Sequence, residues 1–220
     1  MEERKFIFTL MPSKEEFDII YEDHIKKPLV NAGYLIKRDK EILGSSKIVD
    51  DILHHIRAAE IIIADLTSKN VNVFYELGIA DEKKKYLILI AQKGENLPFD
   101  LSQRRTIFYK TDEFGLDKLT QEILFYVKAY KRVKYIDKMI SNFGNSSSFF
   151  EAIDYWKSLM EFEPELNTNQ INNIAKASAQ NDQIFNSYKV SNSLNDFFKR
   201  HEEIISKETI KNLMVVGFLK

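Results

Sequence analysis

Two carboxylates flank a turn between an apolar run and a helix-like segment in residues 61–78. Asp65 follows the apolar residues 61–64, and Glu76 follows a polar loop that contains Asn70 and Asn72. In an open α/β sheet, strand ends and helix starts converge at such turns and leave backbone donors free for a ligand. The sequence therefore predicts a site here, with Asp65 closing the strand and Glu76 in the first turn of the next helix.

A glutamate at the start of a helix has a defined electrostatic setting. The helix dipole favours its ionised form by about 0.3–1 kcal/mol when the side chain is exposed. Cleavage of a glycosidic bond leaves positive charge on the sugar, and a carboxylate beside the anomeric carbon either bonds to that carbon or stabilises its charge. Glu76 is therefore a candidate catalytic residue, and the alternative is that it only stabilises the helix N-terminus.

Other polar residues of this segment are candidates for catalysis or ligand contact. Asp65 either supports catalysis by holding a ribose hydroxyl or braces the loop through Thr67. The side chains of Asn70 and Asn72 donate and accept hydrogen bonds, which suits a base edge or a phosphate. Asparagine is also a common helix cap, and Asn72 is predicted to be the cap here.

Two further segments have residues that suit a small ligand. Met11 and Pro12 follow the first apolar run and form either an apolar wall for a base or part of the core. Ser45 and Ser46 follow Gly44, and they predict either a phosphate-binding helix entry or a plain helix cap.

Strand-like and helix-like patterns alternate over the first part of the chain. The predicted strands cover residues 6–10, 34–36, 60–64, 86–90 and 106–109, and the predicted helices cover residues 15–30, 46–59, from about 72 onward, and 116–141. This alternation is typical of parallel βαβ units. The sequence predicts an α/β fold with a flavodoxin-like, doubly wound parallel sheet of five strands. Its switch point, between the first and third strands, would bring residues 11–13, 39–46 and 65–76 around one crevice.

The pattern becomes wholly helical in the last third of the chain. The cluster Gly144-Asn145-Ser146-Ser147-Ser148 is the clearest break, so the sequence predicts an α/β domain over residues 1–143 and a small all-helical region over residues 144–220. The helical region carries many large apolar residues, which a disordered tail would not. Its asparagine-rich stretch, residues 167–195, is interpreted as a bias of composition. We expect this region to bind a protein partner or to assemble copies of the chain.

Composition limits the classes of partner and site. The net charge is −1, which argues against nucleic acid as a partner, and the chain has no cysteine, which excludes disulfides and cysteine-based metal sites. We predict no metal site and no cofactor. The N-terminus lacks the apolar core of a signal peptide and no window is apolar enough to span a membrane, so a cytoplasmic location is predicted.

Four motifs together resemble a known family. They are ADLTSKNVNVFYELGIA, FIFTLMPSKEEF, GSSKIVDDILHHIRAAEIIIADL and LPFDLSQRRTIFY. Over about residues 5 to 130 the chain is similar to the nucleoside 2-deoxyribosyltransferase-like branch of the TIR-related α/β domains. The resemblance implies cleavage of the N-glycosidic bond of a small-molecule nucleoside, nucleotide or NAD, with Glu76 as the catalytic glutamate. It also implies a setting in bacterial defence.

The chain departs from this family pattern at one position. True transferases carry an aspartate six residues before the catalytic glutamate, and Asn70 stands there in this chain. A family aspartate on the preceding helix is matched by Asp50 or Asp51, and we include Asp51 among the candidate substrate-binding residues. Because Asn70 cannot ionise, hydrolysis or binding without cleavage gains weight over transfer. The alternatives are therefore an N-glycosidase, a nucleotide-binding sensor and a protein-interaction module.

Overall fold

The computed structural model describes residues 6–42 and 48–219. Internal contacts divide the chain into two compact units, Met1–Tyr130 (unit 1) and Lys131–Lys220 (unit 2). Unit 1 contains the sheet, and the described part of unit 2 is helical.

A five-stranded parallel sheet forms the centre of unit 1. Its strands are β1 (Phe6–Leu10), β2 (Leu35–Arg38), β3 (Ile61–Asp65), β4 (Tyr86–Gln92) and β5 (Thr106–Tyr109). They lie in the order β2-β1-β3-β4-β5, and every pair is parallel. This is the flavodoxin-like order, so the predicted fold class is confirmed.

Helices connect the strands of unit 1. They are α1 (Glu16–Ile19), α2 (Lys27–Asn31), α3 (Ile48–Ala58), α4 (Val71–Glu82), α5 (Phe99–Ser102) and α6 (Glu113–Gly144). A π-helical stretch, Ile20–Lys26, joins α1 to α2, so the predicted helix over residues 15–30 is one helical segment with a wider middle turn.

Alternate residues of the strands supply two cores on opposite faces of the sheet. On one face, Ile61 and Ile63 of β3 pack with residues of the α1–α2 segment and of α6. On the other face, Ile62 and Ala64 pack with residues of α3 and α4. Because helices cover both faces of the sheet, residues 61–64 of β3 are apolar on both faces, as is typical of central parallel strands.

Unit 2 has its own core. Its helices, besides the end of α6, are α7 (Phe149–Met160), α8 (Thr168–Gln180), α9 (Asp182–Phe185), α10 (Tyr188–Arg200) and α11 (Lys207–Val215). Aromatic rings dominate the centre, where Trp156 contacts both Phe143 and Phe197. Asn167 and Asn181 cap α8 and α9 through their side-chain oxygens. The asparagine-rich stretch therefore has a structural use beyond composition.

The boundary between the units lies inside α6, whereas the sequence predicts it at Gly144. The shift has a physical reason, because Ile136, Met139, Ile140 and Phe143 belong to the core of unit 2. Gly144 marks the end of α6, but the side chains that α6 buries show that its last turns belong to the core of unit 2.

Within residues 6–42 and 48–219, no helix is both long enough and apolar enough to cross a membrane.

A fragment of residues 1–130 is expected to fold alone with a cooperative thermal transition, since the α1–α2 segment, α6 up to Val127 and the sheet share its core. A fragment of residues 1–143 would expose the four apolar residues that unit 2 buries. We expect it to bind more of a hydrophobic dye and to aggregate at lower temperature. Equal dye binding by the two fragments would contradict the boundary within α6.

Candidate functional site

A buried aspartate closes β3 and holds the following turn. The Asp65 side chain is fully buried. One carboxylate oxygen accepts the backbone N–H of Thr67 at 3.0 Å, and the other accepts the hydroxyl of Tyr109 at 2.7 Å. Burial raises the pKa of Asp65, and the hydrogen bonds from Thr67 and Tyr109 act in the opposite direction. Because both oxygens are occupied inside the protein, this geometry is that of the predicted loop brace, and Asp65 offers no exposed oxygen to a ligand.

The turn after Asp65 is strained and tied to its neighbours. Ser68 and Lys69 both have left-handed backbone conformations, with φ of 59° and 49°, although neither is glycine. The Thr67 hydroxyl accepts the Gln92 backbone N–H at 2.9 Å, and the Ser68 N–H donates to Glu95 at 2.9 Å. Contacts with β4 and its following loop therefore hold a conformation that these residues rarely adopt.

Asn70, and not Asn72, is the N-cap of α4. Its side-chain oxygen accepts the backbone N–H groups of Asn72 and Val73, at 3.0 and 3.3 Å, while the Asn72 side chain is exposed. The helix begins at Val71, so Glu76 lies in its second turn and the first turn holds no acidic residue. The prediction of a first-turn glutamate was wrong, and the helix dipole has little effect at this distance from the helix end.

Glu76 is partly buried and holds its proton more tightly than an ordinary glutamate. Burial, together with the negative charge of Asp39, raises the pKa of Glu76 to about 7. The sequence predicts an ionised side chain stabilised by the helix dipole. The structure instead gives a carboxyl group that gains or loses its proton near neutral pH.

Asp39 follows β2 and is tied to a buried arginine. The side chain of Arg38 is only 2% exposed. Its guanidinium donates to Asp18 at 2.9 Å, to the Pro12 carbonyl at 3.3 Å and to Asp39 at 3.4 Å, and it lies 5.2 Å from the ring centroid of Tyr21. The Ser13 hydroxyl donates to the other oxygen of Asp39 at 3.4 Å. These contacts connect the ends of β1 and β2 beside the switch point.

Three other predicted site residues, Met11, Pro12 and Asp51, lie at the same edge of the sheet with different exposure. Met11 and Pro12 are both buried after β1, and Met11 belongs to the core that contains α6. Asp51 is partly buried in the first turn of α3, which packs beside α4. Ser45 and Ser46 lie outside the described residues.

Sequence reasoning placed the loop that starts at Asp39 near the crevice but did not select Arg38 or Asp39 as site residues. The sequence of β2 did indicate a special role for Arg38. Buried and exposed residues alternate along this strand, and Ile36 and Arg38 occupy its two buried positions. An arginine at an inward strand position is rarely buried without a specific partner. The acidic residue that follows it was therefore a candidate for that partner.

Among the described residues, no group of three or more histidine and acidic side chains is arranged to hold a metal ion. The chemistry available at this edge is that of carboxylates, an arginine and hydroxyl groups.

No family model matches the chain, and no curated protein matches it. Among solved structures, a 2-desoxiribosyltransferase from Leishmania mexicana is similar to part of it. The match covers 53% of this chain and 97% of that chain, with 17% sequence identity and a TM-score of 0.35. Similarity at this level bears on neither the reaction nor the residues, so the function must be argued from the side chains.

Replacing Glu76 with Gln is expected to stabilise the fold at alkaline pH. The pKa of Glu76 is higher in the folded protein, about 7, than in the unfolded chain, about 4.3, so ionising Glu76 destabilises the wild-type fold. This destabilisation is absent below about pH 4.3, grows between about pH 4.3 and about pH 7, and stays constant above about pH 7. We expect the variant to gain about 1–3 kcal/mol in free energy of unfolding at pH 8 and almost nothing at pH 4. Urea unfolding at both pH values measures this, and a loss of stability at pH 8 would contradict it.

Proposed function

We propose that unit 1 cleaves the N-glycosidic bond of a small-molecule nucleoside, nucleotide or NAD, with Glu76 as the carboxylate at the anomeric carbon. The observation that carries the proposal is the position of Glu76, a partly buried carboxyl group on α4 at the switch point of a flavodoxin-like sheet. Ligands of open α/β sheets bind in this crevice. The motif resemblance around Glu76 supports the choice of reaction, and it alone supports a setting in bacterial defence.

The proposed reaction breaks one bond and forms another. The C1′–N bond breaks and its electron pair leaves with the base nitrogen. In a nucleoside or nucleotide that nitrogen takes up a proton, whereas the nicotinamide nitrogen of NAD becomes neutral by keeping the electron pair and the proton goes to solvent. Water supplies the hydroxyl group that bonds to C1′ and also a proton, so the products are a free base and a sugar with a hydroxyl group at C1′. Ionised Glu76 stabilises the positive charge that develops on the sugar.

Hydrolysis fits the loop better than transfer to a second base. Asn70, where transferases have an aspartate, is occupied as the cap of α4 and cannot ionise. The remaining alternative is a sensor that binds the same ligand without cleaving it. Turnover distinguishes the two, because a sensor would be stabilised by its ligand without releasing a base.

Incubation of the protein with NAD, the common nucleosides and their monophosphates is expected to release a free base from at least one of them. The rate should increase with pH through about 7, because ionised Glu76 is the active form and its pKa is raised to about 7. Chromatography of the products at pH 5.5 to 8.5 measures both. A rate that decreases over this range would assign Glu76 the role of proton donor and contradict the role proposed here.

Glu76→Gln is expected to lower base release by at least about 1,000-fold, since the amide keeps the size of the side chain but carries no charge. Glu82→Gln is a matched control, because Glu82 is exposed at the end of the same helix. The control should keep near-normal turnover. If Glu76→Gln also keeps it, Glu76 is not the catalytic carboxylate.

We also propose that unit 2 serves assembly, either between copies of the chain or with a protein partner. Several large apolar side chains of unit 2 are exposed, and among them Phe150, Tyr188 and Val215 are about four-fifths exposed. Aromatic residues at a surface are typical of protein interfaces.

Replacing Phe150 and Tyr188 with serine is expected to lower the molar mass of the protein, or of its complex with a partner, measured by light scattering. Base release per chain should stay unchanged. Phe125→Ser is the control, because Phe125 is exposed on α6 in unit 1. An unchanged mass in the double variant would contradict a role of these two residues in assembly.

A further inference from the structure

A second carboxylate lies at the same edge of the sheet as Glu76. Asp39 follows β2, and Glu76 lies on α4, which follows β3; both strands flank β1 in the sheet. The carboxyl ends of these strands meet at one edge. The negative charge of Asp39 is, after burial, the second cause of the raised pKa of Glu76.

The position of Asp39 is fixed by its surroundings. Arg38 is held by Asp18 and by the Pro12 carbonyl, and it faces one oxygen of Asp39 from the protein interior. Ser13 donates to the other oxygen, while the Asp39 side chain remains 21% exposed. Both contacts of Asp39 are long, at 3.4 Å, so its oxygens keep capacity to accept a further hydrogen bond.

The charged groups around Glu76 come from several elements. Helix α3 carries Asp50, Asp51, His54, His55 and Arg57, and β3 ends in Asp65, whose side chain belongs to the opposite face of the sheet from α4. The described strand β1 carries no charged side chain. Within the described residues, Asp39 is the charged group with a resolved effect on the pKa of Glu76.

We propose that Asp39, fixed by Arg38 and Ser13, is a second ligand-binding carboxylate of this site and accepts a hydrogen bond from a hydroxyl group of the sugar on which Glu76 acts. The inference rests on the proposed function. An ionised carboxylate only accepts hydrogen bonds, so it selects donors such as sugar hydroxyl groups. Arg38 keeps this acceptor in one orientation, as preorganised sites require. Arg38 is therefore a positioning residue, and Asp39 contacts the substrate.

The first test needs no substrate. The side-chain carboxyl carbon of Glu76 is followed by ¹³C NMR against pH in the wild type, in Asp39→Asn and in Asp117→Asn, with the signal assigned from Glu76→Gln. Asp117→Asn removes the same charge from an exposed position on α6. We expect the titration of Glu76 to move to lower pH in Asp39→Asn and to stay unchanged in Asp117→Asn. An unchanged titration in Asp39→Asn would overturn the placement of both carboxylates in one crevice.

The second test identifies the hydroxyl group. Affinities are measured by calorimetry for adenosine, cytidine, guanosine and uridine and for their 2′-, 3′- and 5′-deoxy forms, with the wild type and with Asp39→Ala. The variant should bind the parent nucleoside about tenfold more weakly, as expected for one hydrogen bond to a charged group. It should bind the analogue that lacks the contacted hydroxyl as well as the wild type does.

The outcomes separate this inference from the proposed function. An equal loss of affinity for the parent and all its deoxy analogues would overturn the hydroxyl contact. Failure of the wild type to bind or cleave any ligand would be a failure of the proposed function. In that case the Glu76 titration in Asp39→Asn still decides whether the two carboxylates form a pair.

Discussion

The pair of hydrogen bonds to the buried Asp65 carboxylate determines the geometry of the site. An ionisable group without solvent contact is costly unless its oxygens are paired, and Thr67 and Tyr109 pair both of them. The bond to Thr67 starts the turn, and the bond to Tyr109 connects it to β5. Together with the contacts of Thr67 and Ser68 to β4 and its following loop, this brace offsets the strain of two successive left-handed residues, Ser68 and Lys69.

The hydrogen bonds of Asp65 also help to determine where α4 begins, and hence how far Glu76 lies from the positive end of the helix dipole. Because the strained turn ends at the N-cap Asn70, α4 begins at the next residue, Val71, and Glu76 falls in its second turn. At that depth the dipole contributes little, while burial and a neighbouring negative charge both disfavour ionisation. The pKa of Glu76 is therefore raised by its burial and by Asp39, and not lowered by the helix dipole.

Long apolar runs and alternation of elements were sufficient to predict the sheet and its order. The apolar run of β3 and the polar turn after it are short-range patterns, and such patterns can be recognised in a single sequence. Three features depended on distant partners instead. The burial of Arg38 requires Asp18 and Pro12, the cap role of Asn70 depends on where the strained turn ends, and the assignment of Phe143 depends on aromatic residues of α7 and α10. Periodicity carries no information about such contacts.

Two carboxylates can share one crevice only if each is compensated. Arg38 compensates Asp39, and near neutral pH a proton compensates Glu76 for part of the time. When Glu76 loses that proton, the crevice carries one negative charge without a partner among the contacts described. A neutral nucleoside does not supply the missing positive charge, but the cationic sugar formed as the base departs does. On the proposed function, the charge of the site is therefore complementary to the transition state more than to the bound substrate, which is the condition for accelerating the reaction.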